Sequence, residues 1–334
     1  MKAVTITGAT GFVGSHILEN IQDIDNDKFK VIASCRNQAK LPDFYNGNVL
    51  VGDLLNDQYI DDLTKKSDII CHTASWAEMN GSVEKSVKYF LNPTINLINS
   101  AIKNGVKRFV FLSAITSNPI TRGELHTNKP IEKIWAHYYS ILEIEKYLES
   151  QQGKGMEIII LRVGFFTGKN YSLGLLPILL PRLKTHLVPW IKKGKTTLPL
   201  IDGKDIGLAF KLTIKKEKFI DNFTIIDIVG KEIPTVREVF NYLHQKYHYP
   251  LPHFSVSFQF AYAFARFMRY IYKFLPSDPL IVPAIVLLLE ETHSTNKKAE
   301  ELLNYKPNVH WKESIDIQIA EMFSKKKGKM RMNK

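Results

Sequence analysis

The sequence is poor in cysteine, in acidic residues and in long apolar runs. Only Cys35 and Cys71 occur in 334 residues. Two thiols cannot build a disulfide framework, and no metal-ligand spacing surrounds either, so a reducing, cytoplasmic setting is expected. The longest apolar run, "PLIVPAIVLLL", is far shorter than the roughly 20 residues of a membrane-spanning helix. The opening residues pass straight into a glycine-rich turn, without the apolar stretch and cleavage site of a signal peptide. Asp and Glu number 33 against 45 Lys and Arg, a net charge of +12. The excess gathers at Lys192, Lys193 and Lys195, at Lys215, Lys216 and Lys218, and in the terminal "KKKGKMRMNK". Two readings of this charge stay open. One is a solvated surface with a frayed terminus; the other is peripheral attachment to an anionic membrane surface. No recognition motif accompanies the charge, so nucleic acid is not an expected partner.

What is present is an ordinary globular composition, 45% apolar and 23% charged, on a chain long enough for one large or two modest domains. Short β-branched runs alternate with amphipathic stretches through the first half. "AVTIT" (3–7), "KVIAS" (30–34), "NVLVG" (48–52), "DIICHT" (68–73), "RFVFLS" (108–113) and "EIIILRV" (157–163) read as buried strands. Between them, "NPTINLINSAIKNG" reads as a helix with Asn92 as N-cap, Pro93 in the first helical position and Gly105 at the C-terminal cap. This alternation predicts an α/β fold, a doubly wound parallel sheet with helices on both faces. Beyond about residue 170 the rhythm changes to proline-interrupted and aromatic segments. A division into a dinucleotide-binding domain (1–168), a smaller, partly interleaved substrate lobe (169–323) and a basic tail (324–334) follows.

"TGATGFVG" places Gly8, Gly11 and Gly14 directly after the first strand and at the mouth of a helix. Glycine permits a tight turn and close backbone approach, and the N–H groups of the helix start attract a pyrophosphate. Gly8, Thr10, Gly11, Phe12, Val13 and Gly14 are therefore expected to cradle a dinucleotide. Asp53 of "GDL" follows the third strand, where it could hold the adenine amino group with Leu54 behind the ring. His72, Thr73 and Ala74 end the fourth, where the backbone can come close. After the second strand the chain reads "ASCRNQAK", with Arg36 and no carboxylate. A guanidinium suits a 2′-phosphate, so NADP is favoured over NAD; a surface arginine indifferent to the cofactor is the competing reading.

These residues resemble the extended short-chain dehydrogenase/reductase superfamily. Within it the chain is most similar to the group of NAD-dependent epimerases and dehydratases, dihydroflavonol reductases and 3β-hydroxysteroid dehydrogenases. "TGATGFVG", "VGDLLND", "IICHTAS", "NGVKRFVFLSA", "LRVGFFTG", "GKDIGLAF" and "NKKAEELLNYKPNVHW" follow one another in the family's order. The resemblance implies a Rossmann-like fold. It also implies catalysis by a Ser or Thr after the fifth strand and a Tyr-x-x-x-Lys pair on the next helix, the tyrosine exchanging a proton and the lysine lowering its pKa.

This sequence departs from that pattern. Anchoring the family's Y-x-x-S-K-x-x-x-E on Ser140 and Glu145 puts His137 at the tyrosine position and Ile141 at the lysine. Shifting to Tyr138 or Tyr139 meets Leu142 or Glu143 instead. The usual Ser-Ser becomes Ser113-Ala114, with Ala114 at the catalytic place, and N-x-x-G-T-x-N becomes "FLNPTIN", with Phe90 and Pro93 substituted. His137, whose imidazole titrates near ~6.5 when unperturbed, is the replacement acid–base group to expect. Ser113 and Tyr138 are further candidates, with Tyr139 and Lys133 near enough to be recruited. A buried histidine without a catalytic task is the competing reading.

Residues 254–274 carry nine Phe or Tyr side chains interleaved with Arg266, Arg269 and Lys273. Three readings stand: core packing of the substrate lobe, the lining of an apolar pocket, or a face resting on a membrane. They favour a small apolar substrate, isoprenoid, sterol-like or aromatic. Two functions from different classes remain. One is an NADP-dependent oxidoreductase of an apolar carbonyl or alcohol with a non-standard acid–base site. The other is a cofactor-binding regulator or scaffold that no longer catalyses. A second copy of the chain is left open as a partner.

Overall fold

The computed structural model describes residues 1–117, 134–170, 175–272 and 281–332, with side chains as far as Ser324. Six of its strands fall where the β-branched runs lie: β1 (Lys2–Thr7), β2 (Phe29–Cys35), β3 (Asn48–Val51), β4 (Ile69–His72), β5 (Arg108–Ala114) and β6 (Glu157–Val163). Then come β7 (Phe165–Thr167), β8 (Trp190–Ile191), β9 (Leu200–Asp202), β10 (Phe223–Ile228) and β11 (Ser255–Val256). The helices in chain order begin with α1 (Phe12–Asn20), α2 (Asp57–Lys65), α3 (Asn92–Lys103) and α4 (Ala136–Ser150). They continue with α5 (Leu175–Leu183), α6 (Gly203–Lys215), α7 (Val236–Tyr247) and α8 (Phe258–Ile271). The last are α9 (Pro283–Leu288), α10 (Lys297–Leu303) and α11 (Trp311–Met332).

The main sheet has seven strands in the order β10-β6-β5-β4-β1-β2-β3, every neighbouring pair parallel. The order reverses between β1 and β4, which opens a crevice at the carboxyl ends of those strands. The two-residue period of a strand sorts its side chains between the two faces. Val110, Ile159 and Leu161 join Ile17, Ile206 and Phe210 in the core under α1 and α6. Phe109, Phe111, Ile158 and Ile160 join Leu97, Ile98, Ile141 and Ile144 under α3 and α4. Apolar runs without polar alternation follow from burial on both faces.

One expectation needs correction. Asn92 is not an N-cap: the helix continues upstream through a π turn, Val87–Leu91, to a first turn at Val83–Ser86. Pro93 lacks an N–H to bond back along the helix, and the wider turn just before it accommodates the loss. At the other end Gly105 does close α3, at φ +73°. After residue 168 the chain returns to the large sheet: β10 forms its edge, and α6 packs on α1. Outside it lie the β8–β11 and β7–β9 pairs and a core of Leu176, Leu180, Trp190, Val239, Leu243 and Trp311. The backbone of 324–332 continues α11. No helix among the described residues is long and apolar enough to cross a membrane.

Candidate active site

The crevice between β1 and β4 is where the glycine-rich turn falls. Gly8 adopts φ +69°, and a Cβ there would lie 2.7 Å from the Ala74 backbone nitrogen. At Gly14 a Cβ would meet the Gly8 carbonyl oxygen at 2.3 Å. The turn is thus pressed against α1 on one side and against the end of β4 on the other. Gly11 is the N-cap of α1 and supplies no side-chain hydrogen bond. The first N–H groups of this helix, from Phe12 and Val13 onward, are therefore presented to the crevice without a capping side chain, an arrangement that fits a pyrophosphate. Thr10 and Phe12 are half-buried at its rim, whereas the Val13 side chain belongs to the core and could contribute only its backbone. Phe12 stacks on Phe166 of β7, ring centroids 5.5 Å apart, which fixes the floor of the turn.

The residues around this cradle divide by what their side chains do. Asp53 accepts a 3.0 Å hydrogen bond from the Leu55 N–H, so the carboxylate orders its own turn at the end of β3. Leu54 packs on the core beneath α3 and α4. Arg36 is exposed one residue beyond β2. Thr73 donates its hydroxyl to the Thr7 carbonyl at 2.7 Å, locking the β4 end against β1. The His72 side chain serves the core. Its ring points into the α3 side of the sheet, stacks on Phe111 with Phe109 tilted beside it, and is buried. Nδ1 meets the Thr7 hydroxyl at 2.8 Å and Nε2 the Thr94 hydroxyl at 3.0 Å. Burial holds its pKa down to about 3, so the ring is neutral at physiological pH. Only the His72 backbone can face the dinucleotide.

On the nicotinamide side, α4 carries the substituted motif. His137, in its first turn, is 8% exposed and stacks on Phe90 at 5.1 Å, with Trp135 tilted at 5.3 Å. Its Nδ1 is buried and, among the described residues, has no hydrogen-bond partner. Burial lowers its pKa to about 4, with the Trp76 backbone acting weakly in the other direction. Ile141, at the lysine position, is buried in the core. The two other candidates are committed elsewhere. Tyr138 is buried against Trp135, Ile191 and Phe258, and its hydroxyl donates to the Thr116 carbonyl. Ser113 is buried and donates to Glu145, which also accepts from Ser117 at 2.7 Å. Lys133 lies outside the described residues.

Sequence reasoning missed the partner of Glu145. Arg162 on β6 reaches its two carboxylate oxygens through Nε at 3.1 Å and Nη2 at 2.5 Å, and both residues are buried. Ser113, Arg162 and Asp227 are register neighbours on β5, β6 and β10. Burial raises the Asp227 pKa to about 6; the Arg162 charge opposes that rise and the Glu145 charge adds to it. This row anchors α4 to the sheet and so sets where His137 stands. An arginine inside an otherwise apolar strand, "EIIILRV", was the signal available.

A parallel sheet with this strand order, a glycine turn at its switch point and an uncapped helix behind it define a dinucleotide-binding protein of the Rossmann type. The sequence profile of the NAD dependent epimerase/dehydratase family matches residues 4–228, and the chain belongs to that family. Among curated relatives, the sterol-4-alpha-carboxylate 3-dehydrogenase (decarboxylating) of Dictyostelium discoideum is 26% identical over 242 residues, 68% of this chain and 72% of that enzyme. The UDP-glucose 4-epimerase of Thermus thermophilus, solved in complex with NAD, superposes with a TM-score of 0.65 at 18% identity, covering 95% of this chain and 98% of that one. MoeE5, solved with UDP-glucuronic acid and NAD, gives 0.69 at 18% identity, covering 97% and 99%. At that identity the structures share the fold.

Gly8→Ala tests the cradle. The left-handed backbone and the contact with Ala74 together are expected to cost about 2 kcal/mol of stability and to weaken dinucleotide binding. Urea unfolding and a fluorescence titration with NADH check both; unaltered affinity would remove Gly8 from the site.

Proposed function

We propose that this chain is an NAD(P)-dependent oxidoreductase acting on an apolar alcohol or carbonyl, with His137 exchanging the proton. The observation that carries this reading is the environment of His137. Among the described residues, an imidazole whose buried Nδ1 has no hydrogen-bond partner stands at the motif position reserved for the proton donor, packed by Phe90 and Trp135. Gly8, Gly11 and Gly14, with the N–H groups opening α1, would hold the pyrophosphate. Asp53 and Leu54 would lie near the adenine. A bound nicotinamide would supply hydride transfer. Arg36, with no carboxylate from Ser34 to Lys40, supports NADP over NAD.

Around the reacting centre the chain's own part is to exclude water and handle one proton. Trp135, Tyr138, Ile191 and Phe258 share one buried apolar core that joins α4 to the smaller lobe beside His137. That core supports an apolar substrate, such as the sterol acid named for the Dictyostelium relative. His137 Nδ1 would give its proton to a substrate oxygen on carbonyl reduction and accept one on alcohol oxidation. With a pKa of about 4, the imidazolium is only on the order of one molecule in a thousand at pH 7. Carbonyl reduction should therefore accelerate as the pH falls toward 4, while oxidation stays level from 5 to 8.

The test is a panel of apolar ketones and alcohols with NADPH or NADP, comparing wild type with His137→Ala. Turnover is expected to fall roughly 100-fold or more, with cofactor affinity retained. Unchanged turnover removes His137 from the chemistry. Tight cofactor binding with no turnover on any substrate would instead support a cofactor-binding regulator, for which the buried Ile141 in place of lysine is the favouring observation.

A further inference from the structure

The helix α8 is amphipathic in a way that packing does not explain. Its inner face, Phe258, Ala261, Tyr262 and Ala265, is buried in one core with Ile134, Trp135 and Val286. The core-packing expectation for this segment holds for that face. The outer face carries Phe260, Phe264, Phe267 and Tyr270, which are 60%, 40%, 57% and 64% exposed. Spacings of four, three and three residues put these rings along one side of the helix. Phe260 and Phe264 stack parallel with centroids 6.5 Å apart. Phe254, just before β11, and Leu187, just before β8, are also exposed, and the two strands pair with each other. Four large apolar side chains along one exposed side of a helix mark an interaction site rather than ordinary surface variety.

The charges around this face decide what covers it. Arg266 is exposed on the helix itself. Lys192 and Lys193 are exposed immediately after β8, and the Lys193 N–H bonds to the Ser255 hydroxyl on β11 at 3.2 Å. Lys184 and Lys195 are exposed on either side of that strand. No Asp or Glu occurs between Glu157 and Asp202, nor between Glu238 and Asp278, so the segments building this face carry basic residues and no acidic ones.

We propose that the outer face of α8 docks on an anionic lipid bilayer, with the four rings in the interface and the lysines at the headgroups. A helix of 14 residues is too short to span a bilayer but long enough to lie in its plane. Aromatic rings are favoured at that depth, and basic side chains beside them gain from a negative leaflet. A second copy is the poorer occupant. A two-fold contact sets the same patch against itself, and here it would oppose cation to cation without a carboxylate between them. The proposal does not depend on the identity of the substrate.

The experiment is sedimentation of the full chain with phosphatidylcholine vesicles, with and without phosphatidylserine, at low and high salt. The protein should pellet with the anionic vesicles, less so at high salt. The triple variant Phe260→Ser, Phe264→Ser, Phe267→Ser should weaken this by roughly tenfold or more, with its circular dichroism and unfolding midpoint retained because these rings are exposed. As a second measurement, the Phe264→Trp variant should show a blue shift of emission, relative to wild type, when anionic vesicles are added. Absence of binding to anionic vesicles overturns the proposal. So does binding that the triple variant leaves intact with no blue shift from the Phe264→Trp variant, which would place attachment in the basic terminus. A lipid-free dimer abolished by the triple variant would assign this face to a second copy instead.

Discussion

Glu145→Ala is expected to destabilise the fold by about 3–5 kcal/mol, the usual effect of stripping one partner from a buried ion pair. Glu145 accepts from Ser113, Ser117 and both Nε and Nη2 of Arg162. Without it, two hydroxyls lose their acceptor and a buried guanidinium loses its counter-charge. Asp227 stands beside Arg162 in the sheet; burial raises its pKa to about 6, and losing the Glu145 charge removes one cause of that rise, so Asp227 offsets part of the lost counter-charge. Because the pair bolts α4 to β6, the variant should also loosen the first turn of α4 and shift His137. Urea unfolding measures the first effect. Arg162→Met added to Glu145→Ala should recover part of the loss, since the guanidinium is then no longer stranded, while Asp227 loses the charge that opposes the rise of its pKa. A loss below about 1 kcal/mol for the single variant would show that the pair is solvated and only loosely held.

The second large effect concerns acid. His72 is buried, and its pKa is depressed from 6.5 to about 3 by burial. A neutral ring matches its two hydroxyl partners, Thr7 and Thr94, with one donor and one acceptor. Protonation would place a charge among Phe109 and Phe111 and change what Thr7 must do. The unfolded chain takes up this proton below 6.5 and the folded chain does not until about 3. Stability from His72 is therefore complete above 6.5 and lost progressively as the pH falls through that window, amounting to about 3 kcal/mol between pH 7 and 4. Asp205 and Asp227 act in the opposite sense. Burial raises both to about 6 from 3.8, so their contribution is present below 3.8 and lost as the pH rises through 6. The wild-type curve sums these contributions, and the readout must be a difference. His72→Gln should be less stable than wild type at pH 7, and the gap should shrink by about 3 kcal/mol by pH 4. A gap independent of pH would mean that the ring is solvated.

These two effects turn on residues that the sequence displays but does not connect. Glu145 was legible as part of a helix pattern, and His72 as the end of a strand. Their partners are separated from them by 17 residues for Arg162 and by 65 for Thr7, and no local spacing encodes such pairings. His72 sits at the crevice, and alternation along β4 turns its ring to the helix side.

The amino-acid sequence by itself determined the first six strands, the glycine cradle and the family. Each of these is written in near neighbours: β-branched runs set strands, and glycine spacing sets the turn. Tertiary structure decided the rest. It returned β10 and α6 to the large sheet, because an open parallel sheet must cover both faces and finds its last strand wherever the chain supplies one. It withdrew Ser113 and Tyr138 by giving their hydroxyls to Glu145 and the Thr116 carbonyl. It also divided the aromatic helix into a buried and an exposed face, since burial depends on what lies across the helix and not on what lies along it.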